Sequence, residues 1–331
     1  MKMKRITVVG LVLCLALLSV TACKKEAVAP KAGTADAEDM LNLIPADVQG
    51  VFFVDAHKAM STEFAEKMIK DDENYQKYME FVEKSGIDPQ KDIYYAAIGI
   101  AGELQGENQE GVAVVNMKYD ADTLLGLIRE KMAEEEQQME EEEYEGMTIY
   151  KIWQEGQPMA FSMINESNIV GGNEVHVKSV LDVMNKKKDN VFKNEKLAAI
   201  IDRTNKDAML WGAMLLPEEA MEQAASANPM MSALKSINAV ALYFDYENKM
   251  IKAEIMAMGP DAESNKQVAE ALIGIKSFGA MAAGERPEIG ELLNAIEITS
   301  GDDHVKISAE IPEELIKKLQ AEESKEEEEI N

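Results

Sequence analysis

Residues 239–272, AVALYFDYENKMIKAEIMAMGPDAESNKQVAEAL, contain the pattern that decides the fold. Residues 239–243 and 251–258 are two apolar runs separated by the turn-forming pair Glu247-Asn248, which predicts two antiparallel strands. Asp261 stands where a helix would begin, because its carboxylate can accept a hydrogen bond from a free backbone N–H of the first turn. The stretch therefore predicts two strands followed by a helix.

The same order of elements occurs in the first half of the chain. Residues 93–101 and 112–117 predict a strand pair, and Asp120 predicts the cap of the helix that follows. The apolar face of that helix is predicted to carry Leu124, Ile128, Met132 and Met139. We interpret this recurrence as an internal duplication of a unit with the order β-α-β-β-α-β-β-α, and the alternative is convergence of two unrelated segments.

The remaining segments fit an α+β fold. Further strands are predicted at residues 51–54, 147–153, 159–164, 168–170, 209–214, 295–299 and 305–309. An apolar stripe from Phe64 to Val82 predicts one helix closed by Gly86 and Pro89, and other helices are predicted after Asn173, Pro217 and Pro312. The prediction is an α+β protein with mainly antiparallel sheets and helices packed on one face. Its first half is predicted at residues 41–205 and its second half at residues 206–320.

The amino terminus has the three regions of a secretory signal. Lys2, Lys4 and Arg5 precede an apolar run at residues 6–20, and the run ends in Val20-Thr21-Ala22-Cys23. This lipobox makes the chain resemble a bacterial lipoprotein precursor. The resemblance implies that residues 1–22 are a signal peptide cleaved between Ala22 and Cys23.

The same resemblance implies the anchor and the location. The thiol of Cys23 would carry diacylglycerol, and the new amino terminus would carry a further acyl chain such as palmitate. Two or three chains hold a protein stably on a membrane, whereas an uncleaved run of about fifteen apolar residues is too short to span one. Lys24 after the cysteine favours the outer membrane of the cell envelope, facing the periplasm.

The composition predicts the character of both ends of the mature chain and which cysteine chemistry is open to it. Residues 23–40 are predicted to be a lipidated flexible tether, and residues 321–331 an acidic tail. The two cysteines are Cys14, which lies in the signal, and Cys23, which lipid would consume. The mature fold therefore has no thiol for a disulfide, a cysteine-ligated metal or a catalytic nucleophile.

Net charge excludes one class of partner. The formal charge of the precursor is −27, and loss of three cations with the signal makes it −30. Nucleic acid is excluded as a partner because phosphate binding needs clustered Lys and Arg. An anionic leaflet would repel the body of the protein, so contact with membrane is predicted through the lipid anchor.

Candidate catalytic and metal-binding residues are few. His57, His176 and His304 lie in different elements without zinc-site spacing, and the last two are predicted to be solvated. Asp55 and His57 follow the first strand and suggest a hydrolase, although a pair of polar residues at a strand end is the favoured interpretation. We predict no enzyme activity, no catalytic residue, no metal and no cofactor.

Two further motifs have ordinary interpretations as well as functional ones. The run of glutamates at residues 134–136 and 140–143 suggests a cation site, but a charged helix end is favoured because contiguous glutamates point around a helix. Gly171-Gly172-Asn173 could present N–H groups to an anion, but a strand-to-helix turn is favoured.

A second resemblance concerns the mature part of the chain. Residues 169–173, residues 191–194 before Leu197, and the strand containing Trp211 resemble families of uncharacterised exported bacterial proteins with duplicated α+β halves. These families have no assigned chemistry. The resulting prediction is a non-catalytic binding or scaffold module, whose exposed sheet or seam between halves receives an envelope protein or an apolar ligand. A periplasmic carrier of lipid or another apolar ligand is the first alternative, and a hydrolase using Asp55 and His57 is the second.

Overall fold

The computed structural model describes residues 29–71, 74–102, 109–154, 157–227, 229–284 and 286–320. The chain forms two compact units, of which the first ends at Glu195 and the second begins at Lys196. The division predicted after residue 205 lies ten residues farther along the chain. The predicted signal peptide, Cys23 and the acidic tail lie outside the described residues.

The first unit contains an antiparallel sheet with the strand order β1-β2-β3-β7-β6-β5-β4. Its strands are β1 (Gly50–Asp55), β2 (Ile93–Gly102), β3 (Gln109–Met117), β4 (Glu140–Tyr144), β5 (Met147–Gln154), β6 (Gln157–Asn165) and β7 (Asn168–Asn173). Its helices are α1 (Ala37–Leu41), α2 (Ala56–Met60), α3 (Glu63–Asp71), α4 (Tyr75–Ser85), α5 (Pro89–Asp92), α6 (Ala121–Glu134) and α7 (Glu174–Met184), with a 3₁₀ turn at Val191–Lys193.

Helix α6 shows how local sequence and packing act together in the first unit. The Asp120 carboxylate accepts a hydrogen bond from Thr123 N at 2.8 Å, which confirms the predicted cap. One turn later, Leu125 and Ile128 are buried against Tyr150 and Phe161, whose rings stack with centroids 5.1 Å apart. Burial of each such side chain contributes about 1.5–3 kcal/mol, so the cap starts the helix and this cluster holds it.

Helices lie on both faces of the first unit's sheet, so the prediction of helices on one face is wrong for this unit. Successive residues of a strand point to opposite faces. Glu141 of β4 pairs with Arg129 of α6 at 2.8 Å, whereas its neighbour Glu142 pairs with Lys178 of α7 at 2.9 Å. Helices α6 and α7 therefore cover opposite faces.

Two predicted helices differ in the structure. The single helix predicted from Phe64 to Val82 is two helices, α3 and α4, and the side chains of Phe64 and Met68 lie outside the described residues. The second glutamate run is strand β4 and not a helix end. Glu145 and Gly146 both have positive φ and join β4 to β5 in a two-residue hairpin, the type I′ geometry that matches strand twist.

The second unit contains an antiparallel sheet with the strand order β11-β12-β10-β9-β8. Its strands are β8 (Leu210–Leu215), β9 (Ala239–Glu247), β10 (Met250–Met258), β11 (Ile296–Ser300) and β12 (His304–Pro312). Its helices are α9 (Glu218–Ala227), α10 (Ala262–Ala283), α11 (Pro287–Asn294) and a final helix at residues 313–320, with a 3₁₀ segment at Pro229–Ser236. Helix α8 (Glu195–Ile201) begins at the last residue of the first unit.

Helix α10 begins as the sequence predicts. The Asp261 carboxylate accepts from Ser264 N at 2.8 Å, and Val268 and Ala269 are then buried against Ala257 and Val305 of the sheet. The cap and the first apolar turn thus fix α10 over strands β10 and β12.

The fold is α+β, and five strands have the same arrangement in both units. In the first unit β3 pairs with β7, the last strand of the unit, and β6 pairs with the other edge of β7. In the second unit β10 pairs with β12, the last strand of that unit, and β11 pairs with the other edge of β12. Strands β4 and β5 are an addition to this pattern in the first unit. Common ancestry of the two halves stays a prediction.

Within the described residues, no helix combines the length and the apolar composition needed to span a membrane.

Candidate functional site

The pair proposed for hydrolysis lies at the start of α2. The Asp55 carboxylate accepts a hydrogen bond from Lys58 N at 2.8 Å and so caps α2. The His57 ring is exposed, with its centroid 5.9 Å from that of Tyr94. One oxygen of the Asp55 carboxylate, Oδ1, is thus used in the helix cap.

Each of the other two histidines contacts a carboxylate and is only partly exposed, so neither is fully solvated as the sequence predicted. His176 is only 12% exposed, and its Nε2 lies 3.1 Å from Glu110 Oε2. His304 Nδ1 lies 2.7 Å from Asp303 Oδ1, and Arg203 donates to the same carboxylate at 2.8 Å. Hydrogen bonds from His304 and Arg203 lower the pKa of Asp303 to about 2.

The glutamates of β4 are used in a network of ion pairs. Glu142 and Glu174 each contact both Lys151 and Lys178, with all four side chains partly buried. Hydrogen bonds from the two lysines lower the pKa of each carboxyl group. Within the described part of the chain, no three His, Cys, Asp or Glu side chains are grouped to hold a metal ion.

The Gly171-Gly172-Asn173 segment is the end of β7. Asn173 stands at the N-cap position of α7, but its Oδ1 accepts from Gly111 N of β3 at 2.8 Å and not from the helix. Gly172 has φ +153°, and a Cβ on it would lie 2.2 Å from Gly111 O. The glycine therefore serves close approach of two strands.

Three asparagines that the sequence did not indicate form a cluster at one end of the first unit's sheet. Asn116 is the next-to-last residue of β3, Asn168 begins β7 and Asn165 ends β6, and we call this cluster the N-terminal dock. Asn116 and Asn168 are fully buried, and Asn116 Nδ2 donates to Asn168 Oδ1 at 2.9 Å. Asn168 Nδ2 donates to Asn165 Oδ1 at 3.0 Å, so the three amides form a chain.

The dock holds the backbone of residues 29–33. Asn116 Oδ1 accepts from Gly33 N at 2.9 Å, and its Nδ2 donates to Lys31 O at 3.2 Å. Asn168 donates to Pro30 O, and Asn165 donates to Ala29 O at 3.2 Å. The predicted flexible tether at residues 23–40 is therefore wrong for residues 29–40, which are bound to the first unit and include most of α1.

A neighbouring tyrosine, Tyr119, is hydrogen-bonded to the backbone of the dock. The Tyr119 hydroxyl donates to the backbone oxygen of Asn165. Burial raises the pKa of Tyr119, and the nearby charge of Glu166 adds to this effect. The hydroxyl therefore stays protonated and remains a donor to the strand end that carries Asn165.

The second unit exposes apolar side chains in the middle of its sheet. Leu242, Ile255 and Ile307 lie side by side on β9, β10 and β12, on the same face as Ala257 of the core, and we call them the apolar row. Ile255 is 40% exposed although β10 is the central strand, and its two row neighbours are half-buried. The helices on this face cover Ala257 and leave the apolar row partly open.

No protein-family model matches the sequence, and no curated protein matches it. The structure is similar to crystal structures of TP0453, each 10% identical in sequence. The TM-score is 0.48 for crystal form III, with 83% of this chain and 95% of that chain covered. It is 0.43 for forms I and IV, with 84% of this chain and 94% and 95% of those chains covered. At this identity the likeness concerns the fold alone.

Proposed function

We propose that the protein is a lipid-anchored, non-catalytic binding module of the bacterial cell envelope. Cys23 carries the lipid, the outer membrane facing the periplasm is the location, and an envelope protein binds the apolar row of the second unit. The body of the protein makes no use of a cofactor or a metal in this role.

The observation that supports binding is the exposure of Ile255. A central strand on the helix-covered face of a sheet normally buries its apolar side chains, because each contributes about 1.5–3 kcal/mol when removed from water. An exposed apolar strip in this position is typical of a surface that another molecule covers.

The same row supports a second candidate, a carrier of an apolar ligand. Its three side chains are aliphatic, and the next residues on the same face, Phe244 and Ala253, are also apolar and half-buried. Such a lining suits an acyl chain as well as an apolar segment of a protein.

The lipid anchor is tested by mass spectrometry of the protein purified from membranes. The expected amino-terminal peptide begins at Cys23 and carries the mass of diacylglycerol and an additional acyl chain. Cys23→Ser is expected to remain a precursor without added lipid. An unmodified Cys23 peptide from the native protein would contradict the anchor.

The binding surface is tested with two matched variants, Ile255→Lys in the apolar row and Ile273→Lys on the outer side of α10. The two isoleucines are similarly exposed, at 40% and 45%. Only Ile255→Lys is expected to lose whatever co-purifies, as measured by native mass spectrometry and solvent extraction. A bound lipid would favour the carrier, a cross-linked envelope protein the scaffold, and equal behaviour of the two variants would refute the assignment of the surface.

A further inference from the structure

The N-terminal dock recognises backbone atoms and not side chains of the leading segment. Carbonyl oxygens of Ala29, Pro30 and Lys31 and the N–H of Gly33 are its contacts. Asn116 and Asn168 are fully buried, and both of them use the amide nitrogen and the amide oxygen. Buried amides satisfied in this way are costly to leave without partners, so the segment completes the dock.

Packing fixes the conformation of the same segment. Gly33 has φ +68°, and a Cβ on it would lie 3.1 Å from the ring of Tyr94. Farther along, Ala35, Met40 and Leu41 are buried in the first unit. From residue 29 onward the chain is thus joined to the unit by hydrogen bonds and then by apolar contacts.

We propose that the dock sets the distance and the orientation of the first unit relative to the membrane, an inference that rests on the lipid anchor proposed above. A chain spans at most about 3.3–3.6 Å per residue. Cys23 and Ala29 are six positions apart, which limits the span from the lipidated residue to the dock to about 20 Å. A tether free up to residue 40 would reach about 60 Å.

This short span selects the end of the sheet that faces the bilayer. Lys118 and Glu166 lie beside the dock, on the loops that follow β3 and β6. Val175 lies just beyond the other end of β7, where Asn173 contacts Gly111. At about 3.3 Å per residue along β3, the two ends are about 20 Å apart, so the dock end is the near side and the Val175 end the far side.

The dock itself is tested by hydrogen exchange on the full lipidated protein in detergent micelles. The Gly33 amide is expected to be protected, and Asn168→Ala is expected to make its exchange about tenfold faster or more. Asn185→Ala is the control, because Asn185 donates to Leu181 O at the end of α7, away from the dock. An unprotected Gly33 amide in the unmodified protein would overturn the inference, whatever the lipid does.

The orientation is tested on vesicles of phosphatidylethanolamine and phosphatidylglycerol with a fluorescent acceptor on a headgroup lipid. Neither native cysteine leaves a free thiol in the mature lipoprotein, so Lys118→Cys or Val175→Cys provides one labelling site. Energy transfer to the membrane is expected to be stronger from position 118 than from position 175. Insertion of about twelve Gly and Ser residues after residue 28 leaves the dock intact, adds about 40 Å of reach, and is expected to abolish that difference.

The outcomes separate the inference from the proposed function. Vesicle flotation of the labelled protein shows whether the anchor works. Flotation with equal transfer from both positions, or with a difference that survives the insertion, overturns the orientation while the anchor stands. Failure to float refutes the anchor and the orientation together, whereas the protection of Gly33 is then still measured independently.

Discussion

Replacing Asn168 by alanine tests how much the N-terminal dock contributes to the stability of the first unit. The substitution removes three hydrogen bonds, to Asn116, Pro30 and Asn165. The partners keep other bonds, since Asn116 Nδ2 still reaches Lys31 O at 3.2 Å and Asn165 Oδ1 still accepts from Ser167 N at 2.8 Å. At about 1 kcal/mol net for each lost bond, the free energy of unfolding of the first unit should fall by about 3 kcal/mol.

Asn116→Ala should lower the free energy of unfolding more than Asn168→Ala does. It removes the bonds to Gly33, Lys31, Pro30 and Asn168, and it leaves the fully buried Oδ1 of Asn168 without its partner. A buried acceptor without a partner adds about 1–3 kcal/mol, so the total should be about 5 kcal/mol. The two residues share one bond, and the double variant leaves no Asn168 Oδ1 without a partner, so it should cost less than the sum by about 2 kcal/mol or more.

The assay is urea unfolding followed by circular dichroism and by hydrogen exchange of the first unit, with Asn185→Ala as the single-bond control. The predicted order of destabilisation is Asn116→Ala, then Asn168→Ala, then Asn185→Ala. The reasoning is refuted if Asn168→Ala costs no more than Asn185→Ala, because the dock would then contribute no more than an isolated side-chain bond.

Four other substitutions test three separate features. Gly172→Ala should destabilise the protein by more than about 3 kcal/mol, because a Cβ would lie 2.2 Å from Gly111 O. Gly126→Ala on helix α6 should stabilise the protein by about 0.5–1 kcal/mol, because a Cβ there would have nothing within 4 Å. Thermal melts of both variants check this. Asp303→Asn should destabilise the second unit more at pH 7 than at pH 2. A folded-state pKa of about 2, below the ordinary 3.8, gives stability that is fully present above about pH 4 and is lost as the pH falls through 2. Equal losses at both pH values would contradict this. Ile255→Lys should lower stability by less than about 2 kcal/mol because Ile255 is already 40% exposed, and a larger loss in denaturant melts would mean that the apolar row is covered by the protein itself.

The glutamates at residues 140–143 show why a local pattern was insufficient. Four consecutive acidic residues have poor strand propensity, so the sequence favours a charged helix end. In the structure they form β4 because the Glu145-Gly146 hairpin returns the chain onto β5, and because Lys151 and Lys178 supply positive charge to Glu142. The hairpin signal was in the sequence, but the lysine of α7 is 36 residues away from the glutamate it contacts.

The sequence by itself determined the features that depend on neighbouring residues. Asp120 and Asp261 start their helices because a carboxylate reaches an N–H three residues on, and the alternating strands and helices follow from local apolar periodicity. The lipobox at Cys23 is likewise a local motif, and its lipidation stays a prediction.

Only the tertiary structure decided the dock and the apolar row. Asn116 is separated by 83 residues from Gly33 and by 52 from Asn168, so no local pattern could bring these groups together. Ile255 lies in an apolar strand pattern that predicts burial, and only the structure shows that it is 40% exposed. Local hydrogen bonds and periodicity set each element, whereas long-range packing sets which polar groups are buried together and which apolar groups remain open.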